Sequence, residues 1–283
     1  MIEQIQIDIR RVIERKNPGL ARWLPGLVIR MIERLVHVRE INRVLRRLKD
    51  EEGVSFARGA LASLGARVET VGAERLATVD RPLVVANHPL GGLDGLALIS
   101  AVGEHYDLVV LPVNDLLMNI PQLRPVFVPI NKHGSNRAYR RDFDRAFQRA
   151  DAVVHFPAGL CSRRKGSRVR DLQWQKSFVT RARKTGRTIV PTYVDGANSA
   201  FFYNLARLRR LSGLRFNLEM IWLVDEMFKQ RGKTIRLVFG PPVGADAIPP
   251  GGDSWALANR LRMHVYRLAE NPNAVFVPEA DPV

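Results

Sequence analysis

The chain has 283 residues, 46% of them hydrophobic and 25% charged, which is enough apolar sequence for a sizeable core. Its 44 Lys and Arg residues against 28 Asp and Glu residues give a net charge of +16, and this excess favours an anionic partner such as nucleic acid, an anionic membrane surface or an acidic protein. The single cysteine excludes an internal disulfide, and the lack of a long apolar run argues against a spanning helix. We therefore expect a cytosolic protein whose contact with membranes is peripheral.

The first predicted element is a helical, amphipathic segment over residues 1–64. Between Leu27 and Leu48, apolar residues recur at close to the 3.6-residue period of a helix, and the opposite face is rich in arginine. Trp23 precedes this stretch. A basic amphipathic helix beside a tryptophan is typical of a membrane-surface anchor. It is also typical of a helix that packs on the protein's own core with its arginines in solvent, and both interpretations stay open.

After residue 64, short β-branched runs alternate with helical stretches. This alternation predicts an α/β domain over residues 65–283, with a central, mostly parallel or mixed sheet flanked by helices. The predicted strands cover residues 83–86, 108–112, 126–130, 152–157, 188–194 and 235–240. The predicted helices cover residues 93–102, 135–150, 172–184, 200–211, 217–230 and 255–268.

A histidine and an aspartate follow the first predicted strand. The strand ends at Asn87, so His88 lies just beyond the carboxyl edge of the sheet, where the ligand sites of open α/β sheets collect. The two glycines between His88 and Asp94 permit a tight turn that folds the carboxylate back onto the imidazole. That contact would fix the tautomer and leave the other ring nitrogen as a general base. The alternatives are structural: Asp94 as a helix N-cap, and His88 as a turn residue satisfied by the backbone.

Two further strand ends lead into polar loops. Residues 155–166 combine a glycine with a basic run, which can offer backbone N–H groups and cations to a phosphate; the alternative is a solvated basic loop. The strand over residues 126–130 delivers an asparagine and a lysine into a turn. The candidate substrate-binding residues are Asn87, Asn131, Lys132, Gly159, Ser162, Arg163, Arg164 and Lys165.

Four blocks in this order resemble those of the glycerolipid acyltransferase superfamily, which includes 1-acylglycerol-3-phosphate acyltransferases. The blocks are Asn87-His88…Asp94, the strand end Val126–Asn131, Phe156-Pro157-Ala158-Gly159 and Val190-Pro191-Thr192-Tyr193. The stretch 201–234 also resembles a bacterial subgroup that acylates lysolipids and amino-acid lipids.

The resemblance implies acyl transfer to a hydroxyl. His88 would take the proton of the acceptor hydroxyl as its oxygen attacks a fatty-acyl thioester, Asp94 would orient His88, and the Gly159 loop is a candidate for holding the oxyanion. Acyl-carrier protein or acyl-coenzyme A would be the donor, and both are acidic enough to suit the +16 chain. No cofactor and no metal is expected. The protein is expected to bind anionic membrane lipids peripherally, at the cytoplasmic face of the inner membrane.

The chain departs from the family pattern where the acceptor is recognised. Five residues separate His88 from Asp94, where the family usually has four. The replacements at phosphate-binding positions are Asn131-Lys132 for an arginine in the second block and Ala158, Leu160 and Cys161 for glutamate, threonine and arginine in the third. These changes favour an N-acylated amino-acid lipid or another lysolipid as acceptor. The basic loop could instead supply a phosphate site, so a 1-acylglycerol-3-phosphate acyltransferase is the alternative.

Two functions of other classes are less consistent with the sequence. The charge alone suggests a nucleic-acid-binding protein, but the arginines are not interleaved with aromatic stacking residues and no nucleic-acid-binding motif is present. A serine hydrolase of the common kind would need a GxSxG elbow, which the chain lacks. We therefore expect no nucleic-acid partner.

Overall fold

A seven-stranded sheet lies at the centre of the computed structural model, which describes residues 6–114, 117–129, 144–213, 218–248 and 251–278. The strands are β1 (Arg67–Val71), β2 (Pro82–Ala86), β3 (Val109–Val113), β4 (Phe127–Pro129), β5 (Ala152–His155), β6 (Arg163–Lys165), β7 (Arg168–Arg170), β8 (Thr188–Val194) and β9 (Thr234–Phe239). The sheet order is β1-β9-β8-β2-β5-β3-β4, and β6 and β7 form a separate antiparallel hairpin. All sheet neighbours are parallel except β8 and β9, so the predicted α/β class with a mostly parallel sheet is confirmed.

Helices precede the sheet and cover both of its faces. They are α1 (Ile9–Lys16), α2 (Pro18–Trp23), α3 (Gly26–Leu35), α4 (Val38–Arg47), α5 (Gly53–Leu64), α6 (Gly92–Val102), α7 (Ser177–Thr185), α8 (Ala200–Leu211), α9 (Leu223–Lys229) and α10 (Ser254–Arg267). Residues 144–149 are also helical.

The two faces of the sheet carry separate buried clusters. Successive side chains of a strand point to opposite faces, and the central strand β2 is buried along its whole length. Val84 belongs to a cluster that contains Leu61 of α5, whereas Val85 belongs to a cluster that contains Phe178 of α7. The protein therefore has three layers, with helices on each side of the sheet.

The predicted elements of the α/β part match the structure in most places. The predicted strand 126–130 and helix 135–150 extend outside the described residues. β1 and the β6–β7 hairpin were not predicted. The helix predicted over residues 172–184 begins only at Ser177, and the one predicted over residues 217–230 is split in the described part into a 3₁₀ segment, Leu218–Trp222, and α9.

The single helix expected between Leu27 and Leu48 is wrong, because the chain turns between α3 and α4. His37 adopts a left-handed conformation with φ of 49°, which ends one helix and starts the next in a new direction. Its imidazole Nε2 lies 2.9 Å from Oδ1 of Asp225, and its ring stacks on Phe228 at 4.2 Å between centroids. The turn is therefore fastened to α9.

The predicted division between residues 1–64 and 65–283 falls inside the main core. Leu45 of α4 and Phe56 and Leu61 of α5 are 2–4% exposed and lie in the same cluster as the sheet residue Val84. Residues from Leu45 onward therefore contribute to the α/β core. The membrane-associating role predicted for residues 1–64 stays a prediction.

Within the described residues, no helix combines the length and the apolar composition that crossing a membrane would require.

Candidate active site

Three neighbouring strands bring the predicted loops together at one edge of the sheet. β5, β2 and β8 are parallel, so the segments that follow their carboxyl ends lie side by side. β2 leads to His88, and β5 leads to the loop that starts at Phe156. The backbone N–H of Ser162 in that loop donates to the carbonyl oxygen of His88 at 2.8 Å, which joins the two loops.

The side chains of His88 and Asp94 are in contact. Nδ1 of His88 lies 3.0 Å from Oδ2 of Asp94, and the same oxygen accepts hydrogen bonds from the backbone N–H groups of Leu90 and Gly91 at 2.9 and 3.1 Å. Asp94 is fully buried, whereas the His88 side chain is 18% exposed. The ring of Phe156 stacks on the imidazole at 4.1 Å between centroids. The predicted contact is confirmed, and its catalytic role stays a prediction.

A glycine turn accommodates the longer spacing between the two residues. Gly91 has φ of 78° and ψ of −130°, a conformation that residues with a side chain rarely adopt. A Cβ atom at this position would lie 3.3 Å from Leu223 Cδ2 and 3.4 Å from Cys161 Sγ. The turn therefore requires glycine both for its backbone and for its close neighbours.

The contact fixes the protonation of the ring. An ionised carboxylate can only accept hydrogen bonds, so Nδ1 of neutral His88 carries the proton and Nε2 is the basic nitrogen. Burial opposes the imidazolium, but Cys161 and Asp94 outweigh burial and raise the pKa of His88 well above its ordinary value. Burial raises the pKa of Asp94, although its hydrogen bond with His88 acts in the opposite direction. The pair can hold a proton on Nδ1 and accept another on Nε2.

A second buried carboxylate, Asp171, supports the loop of His88. Its Oδ1 accepts hydrogen bonds from the backbone N–H of His88 at 3.1 Å and from the hydroxyl of Ser162 at 2.6 Å. Its Oδ2 accepts from Trp174 Nε1 at 2.8 Å, and its backbone N–H donates to the hydroxyl of Tyr266 at 2.7 Å. Asp171 therefore connects both site loops to α10.

Three of the predicted binding residues hold the site loops in place. Asn87 donates to the carbonyl oxygen of Val194 at 2.9 Å and accepts from its N–H at 2.7 Å, which ties the end of β2 to β8. The N–H of Gly159 donates to the carbonyl oxygen of Phe156 at 3.0 Å and closes a turn. Ser162 is buried and bonded as described above. Their predicted contacts with substrate stay predictions.

The first arginine of the basic loop is engaged by a buried acid. Nη2 of Arg163 lies 2.9 Å from Oε1 of Glu219, and its Nη1 donates to the carbonyl oxygen of Cys161 at 2.7 Å. Glu219 is fully buried, and its Oε2 pairs with Nε of Arg209 at 2.8 Å. The guanidinium of Arg163 also lies over the ring of Phe202. In the structure this arginine neutralises Glu219.

The remaining predicted binding residues are spread more widely. Arg164 is exposed and donates to the side chain of Asn204. The backbone of Lys165 lies opposite that of Arg168 in the antiparallel β6–β7 hairpin. Asn131 and Lys132 lie outside the described residues.

Two positions of the third block lack the charged side chain that the family usually has there. Cys161, which stands where the family usually has arginine, is 1% exposed and belongs to a small cluster with Phe202 and Tyr203. Ala158, which stands where the family usually has glutamate, packs against the cluster on the α7 side of the sheet.

Sequence reasoning missed Asp171 and Glu219, two buried carboxylates around the site loops. Asp171 is the lone acid within the basic run 163–187, and this isolation was a usable signal. Glu219 lies in a segment without a motif, and only the fold brings it to Arg163. Among the described residues, no group of three or more His, Cys, Asp or Glu side chains could hold a metal ion.

Comparisons with known proteins identify the family of the chain. The chain matches the acyltransferase family over residues 11–273. A lyso-glycine lipid O-acyltransferase of Bacteroides thetaiotaomicron is 42% identical over 264 residues, which cover 93% of this chain and 97% of that protein. A lyso-glycine lipid O-acyltransferase of Phocaeicola vulgatus is 41% identical over 239 residues, covering 84% and 86%. The crystal structure of the 1-acyl-sn-glycerophosphate acyltransferase PlsC from Thermotoga maritima has a TM-score of 0.49 and 18% identity, covering 90% of this chain and 98% of that one.

Proposed function

Because the chain belongs to the acyltransferase family, we propose that it transfers a fatty acyl group from a thioester to the free hydroxyl of a lyso-glycine lipid or a similar lyso-amino-acid lipid. The hydrogen bond between His88 Nδ1 and Asp94 Oδ2 carries the chemical part of this proposal. It leaves Nε2 as a base beside a partly exposed ring.

The proposed reaction is a direct transfer. Nε2 of His88 takes the proton of the acceptor hydroxyl while the hydroxyl oxygen attacks the thioester carbonyl carbon. The C–S bond then breaks, the new ester forms, and the thiolate takes the proton back from the imidazolium. Asp94 stabilises the imidazolium through its carboxylate. General-base catalysis of this kind contributes about 10²–10⁴-fold to a rate.

Two observations support an acceptor without a phosphate. The phosphate-binding arginine of the third block is replaced by the buried Cys161. Arg163, the nearest candidate to replace it, is already paired with the buried Glu219. Releasing Arg163 towards a phosphate would leave a buried carboxylate with one cation fewer, which is costly. The names of the two lyso-glycine lipid relatives point to the same class of acceptor.

We assign the donor to acyl-carrier protein or acyl-coenzyme A, both anionic, since the chain carries a net charge of +16.

The same charge suits an anionic membrane, and Trp23, Leu27 and Met31 on α2 and α3 are 87%, 63% and 62% exposed. We therefore place the enzyme peripherally on the cytoplasmic face of the inner membrane, with α2 and α3 as its anchor. Flotation of the Trp23→Ala/Leu27→Glu/Met31→Glu variant with anionic vesicles tests this anchor; flotation equal to that of wild type would contradict it.

The decisive experiment offers two acceptors to one enzyme. Purified protein receives equal amounts of a lyso-glycine lipid and lysophosphatidic acid, first with acyl-carrier-protein thioester and then with coenzyme A thioester, and mass spectrometry reads both products. We expect glycine lipid to dominate. The His88→Ala variant provides the background, because products of a contaminating enzyme would persist in it.

Dominant formation of phosphatidic acid would overturn the proposed acceptor and identify a 1-acylglycerol-3-phosphate acyltransferase. No acyl transfer with either donor would overturn the choice of donors.

A further inference from the structure

Helix α8 exposes apolar side chains on its outer face. Phe201, Leu208 and Leu211 are 51%, 64% and 73% exposed, and the half-buried Leu205 lies between them on the same face. The spacing of these residues, at four, seven and ten positions after the first, places them along one stripe of a helix. We call these four residues the α8 ridge. An apolar stripe that faces outward marks an interaction surface.

Basic side chains border the ridge. Arg207 is exposed on α8 itself and flanks the ridge, and Arg164 reaches the helix at Asn204. The Lys229 ammonium lies 5.9 Å from the centroid of the Phe201 ring. The helix sequence, AFFYNLARLRRL, contains no acidic residue. Apolar side chains flanked by cations suit a surface that is apolar inside and anionic outside, which describes an anionic bilayer.

The inner face of α8 packs beside the active site. Phe202 and Tyr203 are buried against Cys161. Cys161 precedes Ser162, whose N–H is bonded to the carbonyl oxygen of His88. A helix with its side chains is about 10–12 Å across, so roughly one helix diameter separates the ridge from the loop that contacts His88.

The ridge also adjoins the N-terminal helices through α9. Lys229, next to Phe201, pairs with Asp225 at 2.8 Å, and Asp225 contacts His37 at the turn between α3 and α4. The proposed anchor on α2 and α3 and the α8 ridge are thus connected through the same short helix.

We propose that the α8 ridge is a second membrane-binding surface, which inserts into the headgroup region of an anionic bilayer and holds the His88 site against the layer that contains the acceptor lipid. The inference rests on the proposed function for the identity of the acceptor. The membrane binding proposed for the ridge does not depend on the identity of the acceptor. The partner is a lipid surface, and charge complementarity together with the exposed apolar stripe is the reason for choosing it.

The test compares two double variants in the full-length protein. Leu208→Glu/Leu211→Glu places two acids on the ridge. The control, Leu108→Glu/Val275→Glu, changes two apolar residues in loops away from α8, which are 41% and 72% exposed. Partitioning is measured by co-sedimentation with vesicles of phosphatidylglycerol and phosphatidylethanolamine. We expect the ridge variant to lose at least about tenfold in partitioning and the control to lose less than about twofold.

Activity separates membrane binding from damage to the site. The ridge variant should lose rate on acceptor embedded in vesicles and keep its rate, within about twofold, on a short-chain acceptor dispersed in water. Equal thermal midpoints of the variants and wild type show that the fold is intact. Since sedimentation needs no acyl transfer, failure of the proposed acceptor would leave the binding result standing.

Unchanged vesicle partitioning of the ridge variant would overturn the proposal. If the KM for acyl-carrier-protein thioester rose at the same time, the ridge would be a docking surface for the donor protein. If the oligomeric state in sedimentation velocity changed instead, the ridge would be an interface between copies of this chain.

Discussion

The backbone N–H of His88 donates a hydrogen bond to Oδ1 of Asp171, 3.1 Å away, across 83 residues of chain. This bond sets the position of the peptide that carries the proposed base. Asp171→Ala would leave three donors unpaired in a buried place, namely the His88 N–H, the Ser162 hydroxyl and Trp174 Nε1. We expect kcat to fall at least about tenfold and the thermal midpoint to fall by several degrees.

The matched control for this change is Asp107→Ala, at an exposed aspartate. The pH dependence of kcat should also change in the Asp171 variant, because the imidazole is displaced from Asp94. A variant with normal kcat and a normal pH profile would show that Asp171 does not position His88.

Removal of the base tests the chemistry directly. His88→Ala should lower kcat by about 10²-fold or more, with little loss of stability, because a catalytic base has been removed rather than a core side chain. His105→Ala, at an exposed histidine in the turn that follows α6, is the control and should leave kcat unchanged. Retention of more than about a tenth of the wild-type rate in His88→Ala would contradict the mechanism.

The pH dependence of the rate tests the pairing of His88 with Asp94. The base must be deprotonated, so the rate should rise with pH through a midpoint above the ordinary histidine pKa of about 6.5. Burial lowers the pKa of His88, while Cys161 and Asp94 raise it more. Asp94→Asn removes one of the contributions that raise the pKa, so the midpoint of the pH–rate profile should move to lower pH. The plateau rate should fall as well, since the imidazolium loses its carboxylate. A midpoint that moves upward would contradict this account.

Two adjacent glycines provide a matched pair of variants. Gly91→Ala forces a side chain into a backbone conformation with φ of 78° and against Cys161 and Leu223, so it should cost about 1–3 kcal/mol and disturb the dyad. Gly92→Ala has no heavy atom within 4 Å of the new Cβ and lies at the start of α6, so it should be neutral or slightly stabilising. Urea unfolding and kcat of both variants check this prediction. Similar effects of the two changes would refute the role of the Gly91 turn.

The buried ion pairs of Glu219 can be weighed against an exposed one. Glu219→Gln leaves Arg163 and Arg209 without their shared carboxylate, so we expect a loss of about 3–5 kcal/mol in the free energy of unfolding. Asp8→Asn removes the charge of an exposed pair with Arg11 but keeps a good helix cap, so its cost should be about 0–1 kcal/mol. If urea unfolding gave equal losses for the two variants, the buried ion pairs of Glu219 would stabilise the fold no more than the exposed pair does.

Sequence patterns predicted the centre of the fold better than its edges. Runs such as Leu83-Val84-Val85-Ala86 are buried on both faces of the sheet, so nearly every residue signals a strand. β1 has the sequence RVETV and is mostly exposed, so its sequence lacks the apolar run by which the buried strands were predicted. The break at His37 was missed because the apolar period continues on both sides of the turn, and a left-handed histidine leaves no signal of its own.

The site was predictable where it depends on neighbours in the chain. The contact of His88 with Asp94 follows from a strand end and a glycine turn only a few residues long. The pairing of Arg163 with Glu219 depends on elements 56 residues apart, and no local pattern encodes it. The family resemblance from the four blocks is confirmed by the comparisons.

The pairing of β1 with β9 has a consequence for synthesis on the ribosome. β1 is an edge strand, and its sheet neighbour is formed by residues 234–239, near the end of the chain. The strand must therefore wait for most of the polypeptide to emerge before its backbone groups are paired, and contacts of such high sequence separation form slowly. Meanwhile α2 and α3, with Trp23, Leu27 and Met31 outermost, have already left the exit tunnel. If α2 and α3 are the membrane anchor proposed above, a nascent chain would be able to contact a bilayer through them before the His88 site has formed, and membrane binding would then precede folding.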